Sequence, residues 1–195
     1  MLLGMAVSVF CAGFCGFAED YRSITGTVFR LHIPANSDSA EDQRLKLLVR
    51  DAVLEENSDI FSGCLSAEEA AAAAEKHMDE IEATAERVLA ENGADYGAEC
   101  EIARMSFDDR VYDGITMPAG EYLALRVSLG RAEGKNWWCV MFPPLCLPAA
   151  SGGAEEAAEE AFSPDELELL ENHECYQCRF YLLELLEKLG GDTDN

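Results

Sequence analysis

The chain has 195 residues, 49% of them hydrophobic, with 38 acidic against 14 basic side chains and a formal net charge of −24. That length and apolar share suffice for one compact domain with a real core and argue against two independent ones. So large a negative charge argues against electrostatic capture of nucleic acid or of an anionic membrane surface, and suits a soluble or secreted protein.

The first residues, MLLGMAVSVFCAGFCGFAED, carry no charge before Glu19. An apolar run of that length matches the hydrophobic region of a signal peptide and is short for a bilayer span. Small Gly16 and Ala18 suit the −3 and −1 positions of a cleavage site, so residues 1–18 are expected to be a signal peptide. With no Lys or Arg ahead of the run, an uncleaved membrane anchor is the alternative. Of the eight cysteines, Cys11 and Cys15 fall in this leader, leaving Cys64, Cys100, Cys139, Cys146, Cys175 and Cys178. An even set in an exported chain permits disulfides, though spacing does not fix the pairing.

Thr27 to Pro34 alternates Phe29, Leu31 and Ile33 against Val28, Arg30 and His32, the period of a half-buried strand. Asn36 to Asp42 then offers a helix start, Asp38 with Glu41 or Ser39 with Asp42 as cap and partner. In the helix that follows, Leu45, Leu48, Val49, Ala52 and Val53 form one apolar stripe. Ser66 to Glu91, rich in Ala and Glu, reads as one long helix with Ser66 and Glu69 as a capping box and a stop at Asn92-Gly93. Ala98 to Phe107 and Glu121 to Leu129 both alternate, with a turn at Pro118 and Gly120, and read as antiparallel strands. Residues 149–173 are small and acidic, a flexible or weakly helical connector without chemistry of its own. Residues 174–195 place Leu182, Leu185, Leu186 and Leu189 at helical spacing, an amphipathic segment packing on the 19–148 domain.

The stretch NWWCVMFPPLC, Asn136 to Cys146, holds both tryptophans of the chain. As a strand it turns Trp137, Cys139 and Met141 to one face and Trp138, Val140 and Phe142 to the other. With both faces apolar, it is either covered on both sides or offers an aromatic row to a partner. Pro143 and Pro144 cannot donate ladder hydrogen bonds, so the strand ends at Phe142 in a rigid turn. Cys139 and Cys146 flank that turn and are a candidate disulfide.

FRLHIPANSDSAEDQRLKLLVRDAVL and MPAGEYLALRVSLGRAEGKNWWCVMFPPLC resemble the two signature blocks of the stage II sporulation protein R family, over roughly residues 26 to 147. Matching positions include His32, Asn36, Ser37, Asp38, Asp42, Lys46, Arg50 and Asp51, then Pro118, Gly120, Tyr122, Asn136, Trp137, Trp138, Cys139, Pro143, Pro144 and Cys146. Pro34, Ala40 and the CYQC at Cys175 to Cys178 depart from the pattern. The resemblance implies a messenger of endospore-forming bacteria, not itself an enzyme, exported across the forespore membrane into the intermembrane space of the sporulation septum. There it would activate, by binding, the membrane-embedded aspartic protease that processes pro-sigma-E, meeting its extracytoplasmic face.

Other chemistries are weighed against this. His32, Ser37 and Asp38 are the residue types of a hydrolase triad, but they lie together without a nucleophile elbow, and Ser37 and Asp38 serve better as caps. His173, Cys175 and Cys178, with Cys64 or Cys100, are metal-ligand types, yet a disulfide is the commoner fate of one C-x-x-C in an oxidising compartment. The expected fold is α+β: a small, mainly antiparallel sheet packed against two or three helices. The expected partner surface combines His32, Asn36, Ser37, Asp38, Asp42, Arg50, Trp137, Trp138, Pro143 and Pro144, with no metal, cofactor, nucleic acid or small-molecule substrate. A small exported hydrolase or thiol redox protein is the rival reading, and a septal protein self-assembling through its tryptophan face a third.

Overall fold

The computed structural model describes residues 2–112, 114–145, 154–172 and Tyr176, with side chains from Cys15 onward except those of Ala154 and Glu155. In chain order the elements are α1 (Leu2–Thr27), β1 (Phe29–Pro34), α2 (Ala40–Glu56), a 3-10 turn (Ser58–Phe61), α3 (Ala67–Lys76), α4 (Met78–Glu91), β2 (Ala98–Phe107), β3 (Arg110–Tyr112), β4 (Ile115–Met117), β5 (Gly120–Leu129), β6 (Asn136–Phe142), α5 (Ala154–Ala161) and α6 (Pro164–Glu171). Four strands form one sheet in the order β2-β5-β1-β6, and β3 and β4 pair as a separate hairpin. β1 runs parallel to β5 and antiparallel to β6, and β2 is antiparallel to β5. The molecule is thus α+β with a mainly antiparallel sheet, as the alternation of its strands implies.

Alternation gives the sheet two apolar faces. Phe29, Leu31, Ile33, Leu125, Val127, Leu129, Cys139 and Met141 point to the first, where α2, α3 and α4 cover them with Leu45, Val49, Val53, Ala70, Ala74, Ile81, Ala85 and Leu89. Val28, Tyr122, Ala124 and Val140 point to the second, together with Phe17, Tyr21 and Ile24 of α1, the hairpin's Ile115 and Met117, and Ala158, Phe162, Leu169 and Leu170. Burial of each such large side chain contributes about 1.5–3 kcal/mol, so each covering layer stabilises the sheet in its own right.

One feature differs from the sequence expectation. The run from Ser66 to Glu91 is two helices, not one: at His77 the backbone opens to φ −110° and its N–H turns back to Ala74 O, an i→i−3 step. The stripe Ala67, Ala71, Ala74, Met78, Ile81, Ala85 and Val88 stays in phase through the joint, which is why the pattern concealed it. Helix α3 lies against β1 and β5, and α4 against α2 and β2, so tertiary packing sets the break. The segment read as a flexible or weakly helical connector forms, where described, α5 and α6, with a Ser163–Glu166 capping box and apolar side chains in the second core. Of the segment at 174–195, only Tyr176 lies among the described residues.

Helix α1 runs unbroken from Leu2 to Thr27, and Phe17, Ala18, Tyr21 and Ile24 are buried, so the candidate cleavage point after Ala18 falls inside a helix whose second half is core. Among the described residues no helix is long and apolar enough to cross a membrane.

Candidate functional site

Two clusters carry the residues singled out from the sequence. The first is the turn between β1 and α2. Ser39 is the helix cap, its Oγ accepting from Asp42 N at 3.0 Å. Asp42 turns its carboxylate back over the turn, where it accepts from Ser37 Oγ at 2.5 Å, Tyr96 Oη at 2.5 Å and Asn36 Nδ2 at 3.1 Å. These bonds, led by Ser37 and then Tyr96, hold its carboxyl below the usual carboxylate range. Burial and the facing Asp42 push the Tyr96 hydroxyl up, so it stays a donor.

The same turn clasps the loop joining β5 to β6. Asn36 Oδ1 accepts from Arg131 N at 3.0 Å, Asp38 Oδ1 from Lys135 N at 2.7 Å, and Ala35 O from Gly134 N at 2.8 Å. Gln43 Nε2 donates to Ser37 O, and the buried Lys46 ammonium to Lys135 O at 2.9 Å. Gly130 has φ +55°, and a Cβ there would meet the Asn36 carboxamide; one at Gly134 would strike the Ser37 carbonyl. Both glycines are therefore required by close approach and, at Gly130, by a left-handed backbone. Asn36, Ser37, Asp38 and Asp42 are thus fully used in joining two loops.

The second cluster is β6, an edge strand covered on both faces. Trp137 faces α2, where the Arg50 guanidinium lies 4.3 Å from its ring centroid while pairing with Asp51 at 2.5 Å. Arg50 therefore braces α2 on the strand through Trp137. Trp138 faces the other way and stacks on His32, its cross-strand partner, at 3.8 Å and 3°. Phe107 meets the same indole edge-on at 4.8 Å. Both ring nitrogens of His32 are buried without a hydrogen-bond partner among the described residues. Burial lowers its pKa, the Asn136 side chain acting in the opposite sense without reaching hydrogen-bond geometry and Arg126 reinforcing the fall.

Arg30 escaped the sequence reading, having the look of a solvent-side residue on a half-buried strand. It is fully buried. Its Nε donates to Cys139 O at 3.2 Å and Nη2 to Tyr112 Oη at 3.0 Å, while the guanidinium carbon sits 4.2 Å from the Phe107 ring and 4.8 Å from that of Tyr122. Tyr112 Oη in turn donates to Trp138 O. One cation thus ties β1, β6 and the hairpin together. Only the aromatic residues at Phe107, Tyr112 and Tyr122 hinted at such a cage.

Beyond Phe142 the chain turns at a cis Phe142–Pro143 bond, and Leu145 N closes on Pro143 O. Cys139 is disulfide-bonded, whereas Cys15, Cys64 and Cys100 are free; Cys146, its expected partner, lies outside the described residues. So do His173, Cys175 and Cys178, and among the described residues no group of three or more His, Cys, Asp and Glu side chains is placed to hold a metal ion.

The sequence-derived candidates therefore do not form one patch. The pairing Pro34↔Asn136 puts the Asn36–Asp42 clasp at the start of β6, and Phe29↔Phe142 puts the proline turn at its far end. A seven-residue strand separates them by about 20 Å. Nor do His32, Ser37 and Asp38 converge: His32 lies under Trp138, Ser37 bonds to Asp42, and Asp38 to the Lys135 amide.

A family model described as stage II sporulation protein R matches residues 25–151. The chain is 40% identical over 137 residues to a protein of Bacillus subtilis (strain 168) named "Stage II sporulation protein R", an overlap of 70% of this chain and 60% of that relative's length. No solved structure matches the chain.

Proposed function

Because the chain belongs to the stage II sporulation protein R family, and so has a sporulation-related role, we propose that it is an exported signal passed from forespore to mother cell. On this reading it enters the space between the septal membranes and binds the extracytoplasmic face of the membrane-embedded aspartic protease that processes pro-sigma-E. Binding favours the protease's active arrangement, a population shift that needs no turnover by the messenger.

One observation carries the reading: the residues matched to the family are those that build the sheet and its helices, from the end of α1 through β6 and the proline turn. Two further features support binding over catalysis. Asn36, Ser37, Asp38 and Asp42 of the first signature block are engaged in structural hydrogen bonds, and Pro144 of the second faces solvent at the proline turn.

The test is reconstitution. The full chain, the protease and its pro-sigma substrate are co-expressed, and processing is followed on a gel. Processing that requires the wild-type chain upholds the reading. A competent protease that ignores the chain sinks it and brings the hydrolase, redox and self-assembly readings forward.

A further inference from the structure

We propose that the groove beside the proline turn is the anchor site for a partner segment that carries one large apolar side chain flanked by lysine or arginine. This deepens, and rests on, the reading of the chain as a messenger that acts by binding. The groove, of about 210 Å³, lies where the end of α2, the 3-10 turn and the end of β6 meet. Its walls are Leu54, Phe61, Met141, Phe142 and Pro144, with Ser58 and Ser62 at the rim.

Shape and chemistry decide what fits. An apolar cavity of about 150 Å³ already accepts a benzene ring, so this one takes a leucine, methionine or phenylalanine side chain. Its walls offer such a side chain an apolar seat, the kind of pocket in which binding energy concentrates. A polar ligand would leave its groups unpaired there.

The rim supplies the charge. Glu55 and Asp59 flank Ser58, both are exposed, and neither forms an ion pair among the described residues, whereas Glu56 is taken by Arg87 at 2.5 Å. Helix α2 ends beside the 3-10 turn with no basic residue in its last turn, so the negative end of its dipole adds to the local negative charge. Against a chain of net charge −24, a cationic flank is drawn in and an acidic one repelled. Just beyond Ser62 the chain presents Leu65, 81% exposed, within about 10 Å of the rim for a second apolar contact.

The groove is also built to hold its shape. Phe61 packs on Phe29 from the sheet at a centroid separation of 6.2 Å, Asn57 Nδ2 caps Val53 O, and Ser58 Oγ donates to Glu55 O. Pro144 forms part of the far wall. Little ordering is left for a ligand to induce, which favours binding by a short segment.

The experiment uses the full chain and two fluorescein-labelled peptides, GKRFLKRG and its charge-reversed twin GEDFLEDG, followed by fluorescence anisotropy. The basic peptide is expected to bind at least tenfold more tightly than the acidic one and to weaken as salt rises. Ser62→Trp, a rim substitution that plugs the groove from the solvent side, is expected to abolish binding, and Asp59→Lys to weaken it about fivefold. Asp59→Lys also serves if the plugged variant fails to fold. Equal binding of the two peptides, or undiminished binding to either folded variant, overturns the proposal.

The same variants then enter the processing assay. If wild type triggers cleavage and both folded variants do so equally well, the groove proposal falls and the messenger reading stands. If wild type triggers none, the messenger reading falls, and peptide binding alone decides whether the groove is a site.

Discussion

Replacing Asp42 by alanine should loosen the whole Asn36–Asp42 clasp. The substitution strands three donors, Ser37 Oγ, Tyr96 Oη and Asn36 Nδ2, at 2.5, 2.5 and 3.1 Å from the lost carboxylate. A hydrogen bond to a charged group contributes about 1.5–3 kcal/mol, but the three form one network and lie near the surface, where water can replace part of what is lost. The sum is therefore nearer ~3 kcal/mol than three full bonds. At about 2–4 °C per kcal/mol for a chain of this size, the melting temperature should fall by about 6–12 °C. Asp42→Asn keeps one acceptor oxygen and should lose about half as much. The chain's two tryptophans, Trp137 and Trp138, sit in β6 just past the clasped loop, so urea unfolding followed by their fluorescence reports on this region. A double-mutant cycle with Tyr96→Phe should give a coupling of about 1–2 kcal/mol. A loss below about 0.5 kcal/mol for Asp42→Ala, or strict additivity with Tyr96→Phe, would refute the idea that this carboxylate organises the turn.

The pH dependence has two arms. The Asp42 carboxyl is depressed, so its contribution is present above the unfolded value of about 4 and is lost as pH falls through the folded one; Asp42→Asn should flatten that arm of the urea-midpoint profile. His32 is also depressed, but as a base: the folded state binds fewer protons, so stability is full above about pH 6.5 and declines as pH drops below it, and His32→Phe should remove that decline. Arg30→Ala should cost about 3–5 kcal/mol by removing two hydrogen bonds and two ring contacts, whereas Arg30→Met, which refills the volume, should cost clearly less in the same titration. In alkylation of the unreduced protein, Cys64 should label ahead of Cys100, whose thiol burial pushes up to about 12, and Cys139 should label only after reduction.

Much of this architecture is written locally. Period-two alternation places β1, β2, β5 and β6 because a pleated strand must sort its side chains between two faces, and Ser39 and Ser66 start helices because each hydroxyl satisfies an otherwise unpaired N–H. The contents of the two signature blocks, through their resemblance to a family, also pointed to the sporulation role.

What stayed hidden depends on partners distant in sequence. Alternation told that Arg30 and His32 share a face, but not that α1, the hairpin and α6 would cover it, turning an apparent solvent side into a second core. The phase of an apolar stripe cannot reveal a bend that keeps it in phase, so the joint at His77 was set by what α3 and α4 each lie against. The acidic, alanine-rich composition did not announce the burial of Phe162, Leu169 and Leu170, because that needs a surface supplied by α1 and β4. The sequence by itself determined which residues could form strands, caps and tight turns, since those preferences act over a few residues. Only the tertiary structure decided that the clasp and the proline turn occupy opposite ends of β6, and that the open groove lies at the second, because strand register and sheet order are properties of the assembled chain.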